Sequence, residues 1–112
     1  MAGEPLVLVV EDEPAQREVL AYNIKAEGYQ VITAEAGDEA LVLVRETPPD
    51  VIVLDWMLPH VSGIAVCRPL KMGVDTARIP VIMLSARSEE TDKIRRLATG
   101  ADDYITTPYS LA

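Results

Sequence analysis

Two short apolar runs that end on acids constrain the fold of this chain more than any other feature. Leu6-Val7-Leu8-Val9-Val10 stops at Glu11 and Asp12, and Val51-Ile52-Val53-Leu54 stops at Asp55. Runs this short, rich in β-branched residues and apolar at every position, read as strands covered on both faces, as in parallel sheets. In open α/β sheets, ligands bind just outside the carboxyl ends of the strands. Three carboxylates gathered there repel one another. A divalent cation relieves that repulsion, and an oxygen-only ligand set suits magnesium. One of the carboxylates can then serve as a phosphoryl acceptor rather than only as a ligand.

The rest of the chain alternates strand and helix. Pro14 stands where a first helical turn tolerates proline, after acids that suit a helix N-terminus. Val19, Leu20 and Ile24 share one helical face, and Gly28 is a natural C-cap. Residues 29–34 read as the second strand. Residues 38–45 read as a helix with Ala40, Leu41 and Val44 inward, stopped by Thr47-Pro48-Pro49. The third strand spans 51–54. A loop from Trp56 to Ser62 leads through Gly63 into a helix holding Ile64, Val66 and Cys67. Pro69 inside that helix costs ~3 kcal/mol and predicts a kink or an early end. A fourth strand spans 81–84 and ends at Ser85. A helix over 89–99 turns Ile94, Leu97 and Ala98 to one side. A short fifth strand covers 103–105. Such alternation with short connections implies a doubly wound parallel sheet with right-handed crossovers.

With 112 residues the chain forms one domain, 1–112. Hydrophobic residues make up 49% and charged residues 25%, which argues for a folded core and against disorder. The formal net charge of -8 repels nucleic acid phosphates, so no direct nucleic acid binding is expected of this segment. The single cysteine, Cys67, excludes an internal disulfide and fits the cytoplasm; it reads as a small buried thiol in a helix. No stretch is long and apolar enough to span a membrane, and Met1-Ala2-Gly3-Glu4-Pro5 lacks the marks of a signal peptide.

Five motifs now stand in order: Glu11-Asp12-Glu13, Asp55-Trp56-Met57-Leu58-Pro59, Ser62-Gly63, Met83-Leu84-Ser85-Ala86-Arg87, and Thr99-Gly100-Ala101-Asp102-Asp103-Tyr104. Each is weak alone. Together they cover almost the whole chain and closely resemble the receiver domains of response regulators in two-component signalling. Trp56-Met57 and the Gly-Ala-Asp-Asp-Tyr-Ile stretch make the likeness strongest to the OmpR/PhoB branch. The resemblance implies a flavodoxin-like α/β fold, a doubly wound parallel five-stranded sheet in strand order 2-1-3-4-5. It implies a phosphorelay in which Asp55 accepts a phosphoryl group from the phosphohistidine of a sensor histidine kinase. Asp12 and the backbone carbonyl of Met57 would bind magnesium beside Asp55, with Glu11 acting directly or through water. Ser85 would hydrogen-bond the attached phosphoryl group. Tyr104, with Tyr109 and Trp56, would belong to the surface that reports the switch. Such a domain at most catalyses its own phosphorylation and dephosphorylation. Its parent protein would regulate transcription, with DNA binding in a separate domain.

Three departures from the family pattern stand out. The family places a lysine before the proline that follows the fifth strand, and here that position is Thr107. Its neutral hydroxyl is shorter, which predicts retained magnesium binding but slower phosphorylation or weaker coupling to the switch. Ser110 reads as the N-cap of a fifth helix, so the chain is expected to be truncated before it. Part of the family's dimer surface would then be missing. Lys93, Arg95, Asp102 and Asp103 would lack their usual partners, and a homodimer or non-standard oligomer would cover the apolar sheet surface. The third departure is Pro69.

Simpler readings stand beside these. Glu11 and Asp12 suit a helix N-terminus, Ser85 suits a turn cap, Trp56 suits a half-buried packing position, and His60 suits a solvated loop. Among whole functions, the first alternative is a pseudo-receiver that keeps the fold, takes no phosphoryl group and acts by contact, as Thr107 would favour. A phosphatase of the aspartyl-phosphate kind is a weaker fit. Such enzymes carry a second aspartate two residues after the nucleophile, where this chain has Met57.

Overall fold

The apolar runs lie side by side. A computed structural model describes residues 3–58, 61–85 and 101–106. Strands β1 (Leu6–Val10), β2 (Gln30–Ala34), β3 (Val51–Asp55), β4 (Val81–Ser85) and β5 (Asp103–Thr106) form one parallel sheet. Their order is β2-β1-β3-β4-β5, as the resemblance implied. Helices α1 (Pro14–Ala26), α2 (Gly37–Glu46) and α3 (Gly63–Met72) connect the first four strands. The chain steps outward from β1 to β2, then back across β1 to β3 and on to β4. Right-handed crossovers therefore put α1 on one face and α2 with α3 on the other. The reversal on either side of β1 opens a crevice at the carboxyl ends of β1 and β3. The helix expected over 89–99 lies outside the described residues, as do His60, Thr107, Tyr109 and Ser110.

The core sits mainly under α2 and α3. Leu8, Val10, Ile52, Leu54, Val81 and Met83 share one sheet face, and the strand register aligns them in rows. Ala40 and Val44 of α2 and Val66, Cys67 and Leu70 of α3 close over them, all buried. On the other face Val7 and Val9 are buried, while Val53 and Ile82 are half-buried. Helix α1 has no fully buried residue. Its Leu20, Ala21 and Ile24 are half-buried, and Val19, expected inward, is 38% exposed.

Element ends follow local chemistry. Glu13 caps α1 by accepting from the Ala15 amide at 2.8 Å, and Pro14 begins the helix. Gly28 closes it with a φ of 99°, the left-handed region that favours glycine, while its amide donates to the Lys25 carbonyl. β2 starts one residue later than expected, because the Tyr29 amide still bonds back to the Ile24 carbonyl at 3.4 Å. β3 includes Asp55, which pairs with Leu84, and β4 includes Ser85, which pairs with Thr106.

Where a kink or early end is expected near Pro69, the helix end falls three residues later, with α3 closing at Met72 before Gly73. Proline removes one helical donor, but the turn that follows is well capped. The Gly73 amide donates to the carbonyls of Pro69 at 3.0 Å and Leu70 at 3.3 Å. The Thr76 hydroxyl donates to the Leu70 carbonyl at 2.6 Å.

Asp102, expected at the family's dimer surface, has a partner within the chain. Lys71, at the end of α3, donates to the Asp102 carboxylate and to the Ile79 carbonyl, both at 2.9 Å. The same carboxylate accepts from the Val81 amide at 2.8 Å, and the Asp102 amide returns a bond to the Val81 carbonyl at 2.8 Å. These bonds tie α3, β4 and the start of β5 together at the amino end of the sheet. The Lys71 and Val81 hydrogen bonds hold the Asp102 carboxyl below its usual range. Because its folded pKa is depressed, this stabilisation is present above about pH 4 and is lost as pH falls further. The Asp102 side chain is 49% exposed, so solvent screens the pair. Lys71→Ala should therefore lower stability by only about 1 kcal/mol at pH 7 in urea denaturation, with the deficit shrinking below pH 4.

Candidate functional site

Residues from the ends of three neighbouring strands meet in the crevice. Glu11 and Asp12 follow β1, Asp55 ends β3, and Ser85 ends β4. One carboxylate oxygen each from Glu11, Asp12 and Asp55 lies within 4.8 Å of the others. Glu11 is 4% exposed, Asp55 is half-buried and Asp12 is exposed. The cluster therefore grades from a buried acid to an open one, with Asp55 between.

Backbone amides hold these acids. The Glu11 amide extends the ladder to β2 by donating to the Ala34 carbonyl at 3.0 Å. The Glu13 amide donates to Glu11 Oε2 at 3.1 Å, and the Met57 amide to Asp55 Oδ1 at 3.2 Å. Burial raises the Glu11 carboxyl to about 7 against the opposing pull of the Glu13 amide. The charge of Asp55, its hydrogen bond with Glu11 and the charge of Asp12 push the same way. Near neutral pH, Glu11 is thus far easier to protonate than an ordinary carboxylate. A buried acid beside two others is short of positive charge. The set offers only oxygen donors, which fits a hard divalent cation.

The other expected residues fall around this cluster. Ser85 is 2% exposed, one residue beyond the register partner of Asp55. Trp56 is half-buried against the core. Its amide donates to the Leu84 carbonyl at 2.8 Å, and its own carbonyl accepts from Gly63 at 3.1 Å. Met57 is 63% exposed. The backbone of Tyr104 pairs with Met83 in β5, and its side chain lies outside the described residues. Thr107 lies outside them as well.

Two residues at the site carry roles the sequence reading did not assign. Gly63 was noted as part of a motif without a reason. A Cβ there would stand 2.7 Å from the Asp55 carbonyl oxygen and 3.0 Å from the Trp56 Cα, so the helix start packs directly on the backbone of the central acid. Arg17 lies on α1 and was passed over. Its Nη1 donates to the carbonyls of Glu11 at 2.9 Å and Asp12 at 3.3 Å. One signal was available for it. A cation within the first turns of a helix opposes the helix dipole, so its placement there asks for another reason.

Comparison with known proteins agrees with this geometry. Residues 7–112 match the response regulator receiver domain family. The chain is 53% identical over 106 residues to the phosphate regulon transcriptional regulatory protein PhoB of Rhizobium meliloti, covering 95% of this chain and 47% of that protein. It thus spans about half the length of the curated relatives it matches. Among solved structures, the signal receiver domain of a histidine kinase from Syntrophus aciditrophicus superposes with a TM-score of 0.85 at 41% identity, covering 93% of this chain and 79% of that one. The response regulator TrrA of Thermotoga maritima, solved in complex with Mg(2+)-BeF, superposes with a TM-score of 0.83 at 31% identity, covering 95% and 89%.

Proposed function

The chain belongs to the response regulator receiver domain family, and from that premise we propose that it is a phospho-acceptor switch in which Asp55 takes a phosphoryl group from a sensor histidine kinase. The observation that carries this reading is the cluster of Glu11, Asp12 and Asp55 at the carboxyl ends of β1 and β3. A carboxylate oxygen of Asp55 forms the new bond to phosphorus while the bond from phosphorus to the donor's imidazole nitrogen breaks. The imidazole leaves and takes up a proton. Glu11, Asp12 and Asp55, with the backbone carbonyl of Met57, would hold magnesium. Bound there, the ion supplies positive charge that lets an anionic phosphoryl group approach an anionic carboxylate.

The chain's own groups do the rest. The Met57 amide, bonded to Asp55 Oδ1, fixes the rotation of the acceptor carboxyl. The Ser85 hydroxyl, at the next strand end, donates to an oxygen of the attached phosphoryl group. Nearly two added negative charges at Asp55 then reorder the surrounding loops, and Trp56, Ser85 and Tyr104 carry that change to an output surface. In a parent protein built like the relatives, the output is control of transcription through a separate DNA-binding domain.

A second reading rests on Thr107, which stands where the family has a lysine. In that reading the domain takes no phosphoryl group and acts by contact alone. Intact mass after incubation with magnesium and acetyl phosphate separates the two. A single phosphoryl adduct that is absent in Asp55→Asn is the expected result, with faster accumulation in Thr107→Lys. Magnesium binding without any adduct in the wild type would favour the contact module.

A further inference from the structure

We propose that Arg17 is a positioning residue of the cation site, holding the turn after β1 so that Glu11 and Asp12 both face Asp55 before an ion arrives. The proposal rests on the reading of the acid cluster as a magnesium site.

Successive residues of an extended strand point to opposite faces. Glu11 and Asp12 are consecutive, yet both reach one cluster with Asp55. The backbone must therefore bend as soon as β1 ends. The last ladder bond, from the Glu11 amide to the Ala34 carbonyl, fixes only the start of that bend. Beyond it, the turn must hold acids whose oxygens lie within 4.8 Å of one another and of Asp55. Arg17 braces this turn. One guanidinium nitrogen bonds two consecutive carbonyls, those of Glu11 and Asp12. The other lies 4.0 Å from the Glu35 carboxylate, just past the end of β2. The Arg17 side chain is only 16% exposed, so it lies in the fold rather than in solvent. Its own amide donates to the Glu13 carbonyl at 2.9 Å, which anchors it one helical turn below the acids it holds. The planar fork of arginine suits two carbonyls and a carboxylate at once, whereas lysine offers a single point charge.

Charge and positioning predict opposite signs, and this makes the inference testable. Removing a positive charge close to a cation site strengthens attraction for the ion. Removing a strut that holds two ligands in place weakens binding, by roughly tenfold where a residue supports metal ligands from behind. Magnesium chloride is titrated at pH 8 and constant ionic strength into wild type, Arg17→Met and Arg17→Lys. Binding is followed by Trp56 fluorescence, Trp56 being the chain's single tryptophan, and by calorimetry. The expected result is a Kd weaker by about tenfold in Arg17→Met, with Arg17→Lys in between. A Kd in Arg17→Met equal to or tighter than wild type overturns the proposal, whatever happens to its melting temperature. If Arg17→Met does not fold, Arg17→Lys decides by the same criterion. Absence of magnesium binding in the wild type would overturn the reading of the acid cluster itself, a result distinct from a wild type that binds beside an unaffected variant.

Discussion

Without magnesium, the folded protein should lose up to about 3 kcal/mol of stability as pH rises from about 4.5 to about 7. Burial beside Asp55 and Asp12 lifts the Glu11 carboxyl from 4.5 to about 7. The folded chain therefore holds this proton more tightly than the unfolded chain does. A raised folded pKa gives stability that is fully present below the unfolded value and is lost as pH rises through the folded one. Urea denaturation at a series of pH values, for wild type and Glu11→Gln, isolates the effect. The glutamine variant should lack this downward slope and exceed the wild type in stability at pH 8. Parallel profiles for the two proteins would show that Glu11 does not titrate as described. Magnesium should reverse the trend, since the ion competes with the proton for the same carboxylate oxygens, and its stabilising effect should grow across the same window.

Gly63→Ala should damage both stability and the site. The added Cβ would lie 2.7 Å from the Asp55 carbonyl oxygen, 3.0 Å from the Trp56 Cα and 3.0 Å from the Met83 sulfur. Only the methionine can yield by rotating its side chain. The two backbone atoms belong to β3 and to the residue that follows the acceptor. Such overpacking costs roughly 1–3 kcal/mol and shifts the backbone that carries Asp55. Magnesium affinity should fall together with stability. Gly28→Ala is the control. It leaves open space around the new Cβ but forces alanine to a φ of 99°, far from the acids. It should lose about 1 kcal/mol through conformation alone and keep its magnesium affinity. Equal magnesium affinity in both variants would show that Gly63 does not support the acceptor strand.

The strands and the acid cluster were legible because one pattern encodes both. An apolar run that ends on an acid marks a buried strand and also places a carboxylate at its carboxyl end. Asp55, Glu11 and Asp12 were therefore visible before any coordinates. Arg17 was not, because its role depends on a guanidinium folding back over carbonyls, which residue spacing does not show. The effect of Pro69 was only partly legible for a related reason. Its intrinsic cost was read correctly, but Gly73 and Thr76 cap the weakened turn, and α3 continues. The Lys71 partner of Asp102 was not legible, because it lies 31 residues away in sequence and reaches Asp102 only through the fold.

The bonds among Lys71, Asp102, Ile79 and Val81 sit at the end of the sheet remote from the carboxylates. Asp102 pairs with Val81 through both amide and carboxylate, so β5 cannot slide along β4 without breaking them. At the opposite ends of these strands, about 13 Å away by strand rise, Ser85 pairs with Thr106. A pull along β4 at Ser85 is therefore carried to the bonds at the amino end of the sheet.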